Sequence, residues 1–374
     1  MLELISVTKT FGKTVAVDNL SLQCREQEFL VIFGPAGAGK TTTLRIIAGI
    51  MEADRGEVRF RGKPLRGVPP EQRNISMVFE NYALYSHMTV FDNLAFPLRA
   101  RKLPEDQVRQ RVQQMAETMH IGDLLERRPG FLSGGQRQRV ALGRGLIREA
   151  DVYLLDEPIA HLDARLRHQM RAELKALCAE KKATVVHVTH DHREAMALSN
   201  RMVVINKGHP EQIASPEDVY YRPASEFVAG FVGDPPMSLL DVEYVEERGK
   251  PGFRVPEREV WLPANGEIAK QLEGRSPGGT MRLGFRATEV NLQRSGDGGH
   301  TVPGEVYVVE RNDRRNLLTV KVGKALLQVA TPADETWNVR DTVWMRLDSD
   351  NLHLFVDGIG LYHPAVKATS DPRS

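Results

Sequence analysis

The chain has 374 residues, 41% of them hydrophobic, which is enough for two or three domains with a sizeable core. Fifty basic against 49 acidic residues leave a net charge of +1, which excludes the basic bias of a nucleic-acid-binding protein. No apolar run approaches the ~20 residues of a membrane span, and the distant pair Cys24 and Cys178 fits no metal or disulfide pattern. Met1–Leu4 enters a strand pattern at once without a signal-peptide pattern, so a reducing, cytoplasmic setting is the expectation.

In chain order, the first informative stretch is the apolar run Glu28 to Phe33, read as a buried parallel strand. Gly34-Pro35-Ala36-Gly37-Ala38-Gly39-Lys40-Thr41 follows and fits G-x-x-x-x-G-K-[ST]. Its glycines let consecutive backbone N–H groups turn toward phosphate oxygens. Lys40 brings a point charge to the outer phosphates, and the Thr41 hydroxyl suits Mg²⁺. Thr42 to Ile50 reads as a helix whose N-terminus also faces the anion. A glycine-rich strand–helix turn alone is the bland alternative.

Further along, Pro104 to His120 has amphipathic helical spacing, and Gln136 to Arg148 supplies another helix. Asp151 to Asp156 is an apolar strand ending in a carboxylate suited to Mg²⁺. Glu157 follows, placed to orient or deprotonate a water, although two acids capping a strand before Pro158 is the plainer reading. A third buried strand, Thr184 to Thr189, delivers His190 and Asp191 at the edge where open α/β sheets bind ligands. After Gly233-Asp234-Pro235-Pro236 the character changes to short β-rich runs at 306–309, 317–322, 326–329, 343–347 and 352–355, an all-β signature.

Leu132-Ser133-Gly134-Gly135-Gln136 is the most specific string. Ser133 offers a hydroxyl, Gly134 and Gly135 bare their N–H groups, and the following helix points its positive end at the loop. With the phosphate loop, a segment around Glu80, the acids 156–157, a loop at 160–163 and His190 in that order, residues 1 to about 235 resemble the ATPase subunit of an ATP-binding-cassette (ABC) transporter. Met77 to Val90 resembles the importer branch that serves maltose-type sugars and glycerol phosphate.

The resemblance implies an α/β P-loop NTPase core over 1–235 with a helical subdomain at about 86–149. A C-terminal all-β, OB-like regulatory domain follows over 236–363, supported by Leu283-Gly284-Phe285-Arg286, with a loose polar tail over 364–374. It implies ATP and Mg²⁺ as cofactors. Phe11 is then the aromatic that stacks on adenine, though a core aromatic at a strand end reads nearly as well from sequence. Residues 34–42, Ser133 to Gln136 and Asp163 hold nucleotide; Thr41, Glu80 and Asp156 hold the metal; Lys40, Glu157 and His190 serve catalysis. The signature of one subunit faces the phosphate loop of a second, so two chains enclose two ATP molecules. Two membrane-spanning permease subunits dock near Glu80–Met88, where Tyr82, Leu84, Tyr85 and Met88 could instead form a small local core. An extracytoplasmic solute-binding protein completes the system, a regulatory protein is expected on the C-terminal domain, and nucleic acid is not. The location is the cytoplasmic face of the cell membrane.

Three features depart from the family pattern. Glu80 stands where glutamine is usual and adds charge near Asp156 and Glu157, so one of the three acids should have a raised pKa. Ala160-His161-Leu162-Asp163 replaces a Ser-Asn-Leu-Asp-like string, losing a hydroxyl. Gly145 lies in an expected helix, at a cost of about 1 kcal/mol relative to alanine. A catalytically weakened regulatory subunit of a heterodimeric pair and a non-transport ABC ATPase remain as other readings.

Overall fold

The computed structural model describes residues 1–247, 249–256, 258, 260–273, 279–296 and 301–365. From residue 366 onward the expected polar tail lies outside the described residues. The chain divides into two compact units, Met1–Pro216 and Glu217–Ser374. The division falls before the compositional change at 233–236.

The first unit opens with β1 (Leu2–Phe11) and β2 (Thr14–Cys24), continues through β3 (Phe29–Phe33) and α1 (Lys40–Ala48), and then forms β4 (Arg55–Phe60) and β5 (Lys63–Pro64). β6 (Ile75–Val78) precedes the helices α2 (Val90–Arg99), α3 (Glu105–Thr118) and α4 (Gly134–Leu146). The unit closes with β7 (Val152–Asp156), α5 (Ala164–Glu180), β8 (Val185–Thr189), α6 (His192–Leu198), β9 (Arg201–Asn206) and β10 (His209–Ala214).

The central sheet has the order β10-β9-β3-β8-β7-β6. Its β3, β8, β7 and β6 pair in parallel. Every residue of β3, β7 and β8 is buried, as expected of strands covered on both faces. A second, antiparallel sheet runs β2-β1-β4-β5. It was not foreseen from sequence, because β1 and β2 lack clean alternation: bulges interrupt their register. Leu30, Ile32, Leu44, Ile47, Val152, Leu154 and Val188 belong to one apolar cluster of this unit.

The helices begin and end where capping chemistry places them. Thr89 caps α2 by accepting from Asp92 N, and the acidic first turn of α3 (Glu105, Asp106) faces its helix N-terminus. The buried stripe Val108, Val112, Met115 and Ala116 gives α3 its inward face. α4 starts at Gly134, two residues before the sequence expectation, because Ser133 is its cap. Gly145 has a packing reason: a Cβ there would stand 2.3 Å from Val78 Cγ2, so the bare glycine lets α4 lie against β6. Its carbonyl also accepts from Ser76 Oγ at 2.6 Å.

The second unit carries α7 (Pro216–Tyr221) at its start, then α8 (Glu226–Phe231), β11 (Ser238–Glu247), β12 (Lys250–Val255) and β13 (Val260–Pro263). α9 (Gly266–Leu272), β14 (Met281–Phe285), β15 (Asn291–Gln293), β16 (Thr301–Arg311) and β17 (Arg315–Val322) follow. β18 (Ala325–Pro332), β19 (Thr342–Arg346), β20 (His353–Val356) and β21 (Ile359–Tyr362) complete it. Two antiparallel sheets, β13-β12-β11-β14-β20-β21 and β15-β19-β16-β17-β18, share one core that includes Phe253, Leu283, Val320, Leu327, Val343 and Leu354. β17 and β18 alternate buried and exposed residues, the pattern that made them readable. This β-rich region also holds the short helix α9, capped by Asn265, which the all-β expectation did not include. Among the described residues no helix is long and apolar enough to cross a membrane.

Candidate active site

The phosphate loop joins β3 to α1. A Cβ on Gly34 would meet Ile205 O at 2.3 Å, and Gly39 combines φ +95° with a would-be 2.0 Å contact to Ala16 O. Glycine is therefore needed at both ends of the loop, and Gly37 also takes a left-handed φ of +76°. Ala38 is buried, Ala36 and Gly37 are exposed, and Pro35 and Thr42 are half-buried. Lys40 folds back: its Nζ donates to Gly34 O and Pro35 O, each at 2.9 Å. Burial lowers its pKa, opposed by the charges of Glu157, Asp156 and Glu80, so three acids surround the ammonium.

The Thr41 hydroxyl donates to Asp156 Oδ1 at 2.9 Å, which joins the start of α1 to the end of β7. Asp156 is buried, and its pKa is pushed up to about 6, first by desolvation and then by the charges of Glu80 and Glu157. The raised acid anticipated from Glu80 is thus Asp156, and burial rather than the extra charge is the main cause. Glu80 is exposed. Among the described residues no three His, Cys, Asp or Glu side chains gather into a metal-holding group.

Glu157 and His190 are the first residues past two neighbouring parallel strands, and His190 Nδ1 lies 2.9 Å from Glu157 Oε1. Glu157 has φ +46°, a left-handed backbone that is uncommon for a residue with a Cβ and that recurs at functional sites. It is held there by Glu157 N donating to Val188 O at 3.0 Å and by Gln138 Nε2 donating to Glu157 O at 3.1 Å.

The signature residues make their contacts elsewhere in the chain. Ser133 Oγ accepts from Gln136 N at 3.2 Å while Gln136 Oε1 accepts from Ser133 N at 2.8 Å, a reciprocal capping box. The first-turn N–H groups of Gly134 and Gly135 form part of the positive end of the helix. A Cβ on Gly135 would meet Leu162 at 3.0 Å, so the signature lies beside the 160–163 loop. Asp163 caps α5, accepting from Leu166 N at 2.9 Å. Phe11 ends β1 with 48% of its surface exposed and Lys9 Nζ 5.7 Å from its ring centre.

Several residues escaped the sequence reading. Gln138 is almost fully buried and, besides donating to Glu157 O, accepts from His161 N at 3.2 Å. Arg167 donates to the carbonyls of Ala160 (2.9 Å) and Leu162 (3.0 Å) and to Asp191 Oδ2 (3.1 Å), tying the 160–163 loop to the residue after His190. Buried Asn93 accepts from Tyr85 N at 2.9 Å and donates to Thr89 O at 2.9 Å. Arg144 donates to Tyr82 O at 3.1 Å and sits 5.1 Å from the Tyr85 ring centre. A polar residue on the inward stripe of an expected helix was the only available signal for Gln138.

Residues 17–160 match the family described as ABC transporter. The xylose/arabinose import ATP-binding protein of Haloferax volcanii is 40% identical over 95% of this chain and 93% of its own. The sn-glycerol-3-phosphate import ATP-binding protein of Escherichia coli is 41% identical over 95% of this chain and 97% of its own. The trehalose/maltose import ATP-binding protein of Thermococcus litoralis is 50% identical over 65% of this chain and 67% of its own. A solved dimeric ATP-binding cassette in a post-hydrolysis state with ADP and Pi superposes with a TM-score of 0.54 at 30% identity, covering 58% of this chain and 99% of the other. The chain belongs to the ABC transporter family, in the branch of these import ATP-binding proteins, and is an ABC transporter ATPase.

Proposed function

We propose that this chain hydrolyses ATP to drive uptake of a sugar, polyol or glycerol phosphate, working as a dimer with two composite sites. The solute class rests on the relatives named as import proteins for xylose, arabinose, trehalose, maltose and sn-glycerol-3-phosphate. The dimer rests on the likeness to the dimeric ADP- and Pi-bound cassette. The observation that carries the hydrolytic reading is the placement of Asp156, hydrogen-bonded to Thr41, and of the Glu157–His190 pair at the ends of neighbouring parallel strands.

In this reading the base lies on Phe11 and the phosphates lie along Gly34 to Thr42. Lys40 exchanges its two loop carbonyls for phosphate oxygens, at little rearrangement because its ammonium is already in the loop. Glu157 orients the attacking water and takes its proton, while His190, hydrogen-bonded to Glu157, reaches the γ-phosphate. Ser133, Gly134, Gly135 and Gln136 of the second subunit close the far side of the site, with Asp163 and its loop at the junction.

The donor set fits Mg²⁺. A hydroxyl and a buried carboxylate are hard oxygen ligands, and burial with the nearby charges of Glu80 and Glu157 disfavours the ionised Asp156 that a divalent cation would stabilise. Thr41 and Asp156, with Glu80 from the loop after β6, would hold the ion. When bound, Mg²⁺ supplies neutralisation of the developing phosphate charge. Mg²⁺ commonly takes only one or two carboxylates plus substrate phosphates, consistent with a site that is not a closed protein cage.

Two permease subunits would dock at Glu80–Met88, whose backbone is held by Asn93 and Arg144, placing the chain at the cytoplasmic face of the membrane. An extracytoplasmic binding protein would deliver the solute, and the β-rich second unit would receive a regulator. The test is affinity purification of the chain from its native membranes, followed by mass spectrometry and a phosphate-release assay. Recovery of two membrane-spanning subunits with Mg²⁺-dependent ATP hydrolysis is the expected result. An isolated chain without membrane partners would overturn the transport reading.

A further inference from the structure

We infer that His161 is a positioning residue that transmits the state of the loop at Tyr82 to the backbone of Glu157. The inference rests on Glu157 acting on the attacking water, as proposed above. It concerns a position where this chain departs from the usual asparagine.

The path is continuous. The rings of Tyr82 and His161 meet edge to face, with centroids 6.0 Å apart and planes at 80°, within the range where aromatic rings attract. The backbone N–H of His161 donates to Gln138 Oε1 at 3.2 Å. The other end of the same amide donates to Glu157 O at 3.1 Å. Gln138 is 2% exposed and projects from α4, so it is a fixed bracket between the two loops. One amide therefore holds both ends of the segment from Glu157 to His161.

Both ends of the path carry backbone strain. Tyr82 and Ala83 have φ +66° and +47°, and Glu157 has φ +46°. Such conformations persist only where their surroundings hold them. At Tyr82 the holding contact is Arg144, which donates to its carbonyl. At Glu157 it is Gln138 together with Val188 O. A shift of the Tyr82 ring therefore loads His161, then Gln138, and then the peptide that aims the Glu157 carboxylate at His190. Packed contacts of this kind switch between arrangements rather than deforming smoothly. Tyr82 lies in the loop assigned to the permease, so the path gives a docked partner a mechanical hold on the water-activating group.

The test is steady-state ATP hydrolysis by the full chain and its variants. Tyr82→Ala and His161→Ala should each lower kcat about threefold to thirtyfold, with KM for ATP unchanged. The double variant should lose no more than the worse single one, because the two residues share one path. Tyr82→Phe keeps the ring and should keep kcat. His161→Asn keeps the backbone hydrogen bond but removes the ring, and should lose kcat like His161→Ala. Losses that multiply in the double variant would overturn the inference. So would unchanged kcat in both single variants, or a Tyr82→Phe variant as slow as Tyr82→Ala. The Phe and Asn variants decide the matter if either alanine variant does not fold. Glu157→Gln in the same assay separates the two claims. If it retains turnover, the role of Glu157 is wrong; if it stops turnover while the loop variants do not change kcat, only the path is wrong.

Discussion

Glu157 Oε1 stands 2.9 Å from His190 Nδ1, each residue being the first past its strand. β7 and β8 pair with Asp156 opposite Val188, so the sheet register brings acid and imidazole together. The pair needs no long flexible segment to assemble it. Its price is the left-handed backbone of Glu157.

Glu157→Gln should therefore separate binding from chemistry. The amide preserves size and the backbone demand but cannot accept the water's proton. Turnover should fall about 100-fold to 10,000-fold, while ATP remains bound. Phosphate release and retention of labelled ATP measure the two halves. Rapid hydrolysis by this variant would rule out Glu157 as the base.

The parts of the site legible in sequence were those whose chemistry is local. Gly34 to Thr41 encodes a loop in which Gly34 and Gly39 face backbone oxygens, and Ser133 with Gln136 encodes a capping box three residues apart. Buried strands ending in Asp156 and Thr189 were readable as apolar runs. Gln138, Arg167, Asn93 and Arg144 were not, because each acts on the backbone of a loop 19 or more residues away or across a turn, and only the fold makes those neighbours. The antiparallel sheet built on β1 and β2 was hidden by bulged register, and Gly145 looked like a helix defect until Val78 was seen against it.

Asp156→Asn should raise the stability of the nucleotide-free chain above about pH 6 while abolishing Mg²⁺-stimulated hydrolysis. Burial pushes this carboxyl up to about 6, so in the unfolded chain it ionises at lower pH than in the fold. Between the two values the folded state binds more protons, and stability falls as pH rises until the folded group has ionised. The amide removes that penalty. Thermal melts at pH 5 and pH 8 without nucleotide measure it; a stabilisation equal at both pH values would contradict the assignment.

Gly145→Ala should destabilise the first unit although alanine is the better helix former. The propensity gain is about 1 kcal/mol. Against it, the added Cβ would lie 2.3 Å from Val78 Cγ2 in a packed contact, and overpacking of this kind costs about 1–3 kcal/mol. Adding Val78→Ala should recover part of the loss, since the two sites share one space. Urea denaturation of both single variants and the double variant measures the coupling. Strict additivity would show that the contact does not limit the helix.

In the second unit, His353 and His363 should make stability acid-sensitive. Their Nδ1 atoms are 2.9 Å apart, so one ring must donate and the other accept, which requires that the accepting ring be neutral and is lost when both are protonated. Burial lowers His353 to about 3, with His363 and Arg286 adding to the effect, and lowers His363 to about 4, with Arg222 adding to it. The unfolded chain takes up these protons near pH 6.5, the ordinary value, and the fold refuses them until much lower pH. Stability supplied by the neutral pair is therefore complete above about 6.5 and is lost progressively as the pH falls toward about 4. All three tryptophans, Trp261, Trp337 and Trp344, lie in this unit, so intrinsic tryptophan fluorescence follows its unfolding alone. Urea midpoints should drop between pH 7 and pH 5 in the native chain. Replacing both histidines with glutamine, which still donates and accepts a hydrogen bond, should flatten that dependence. An unchanged slope in the double variant would place the acid sensitivity elsewhere.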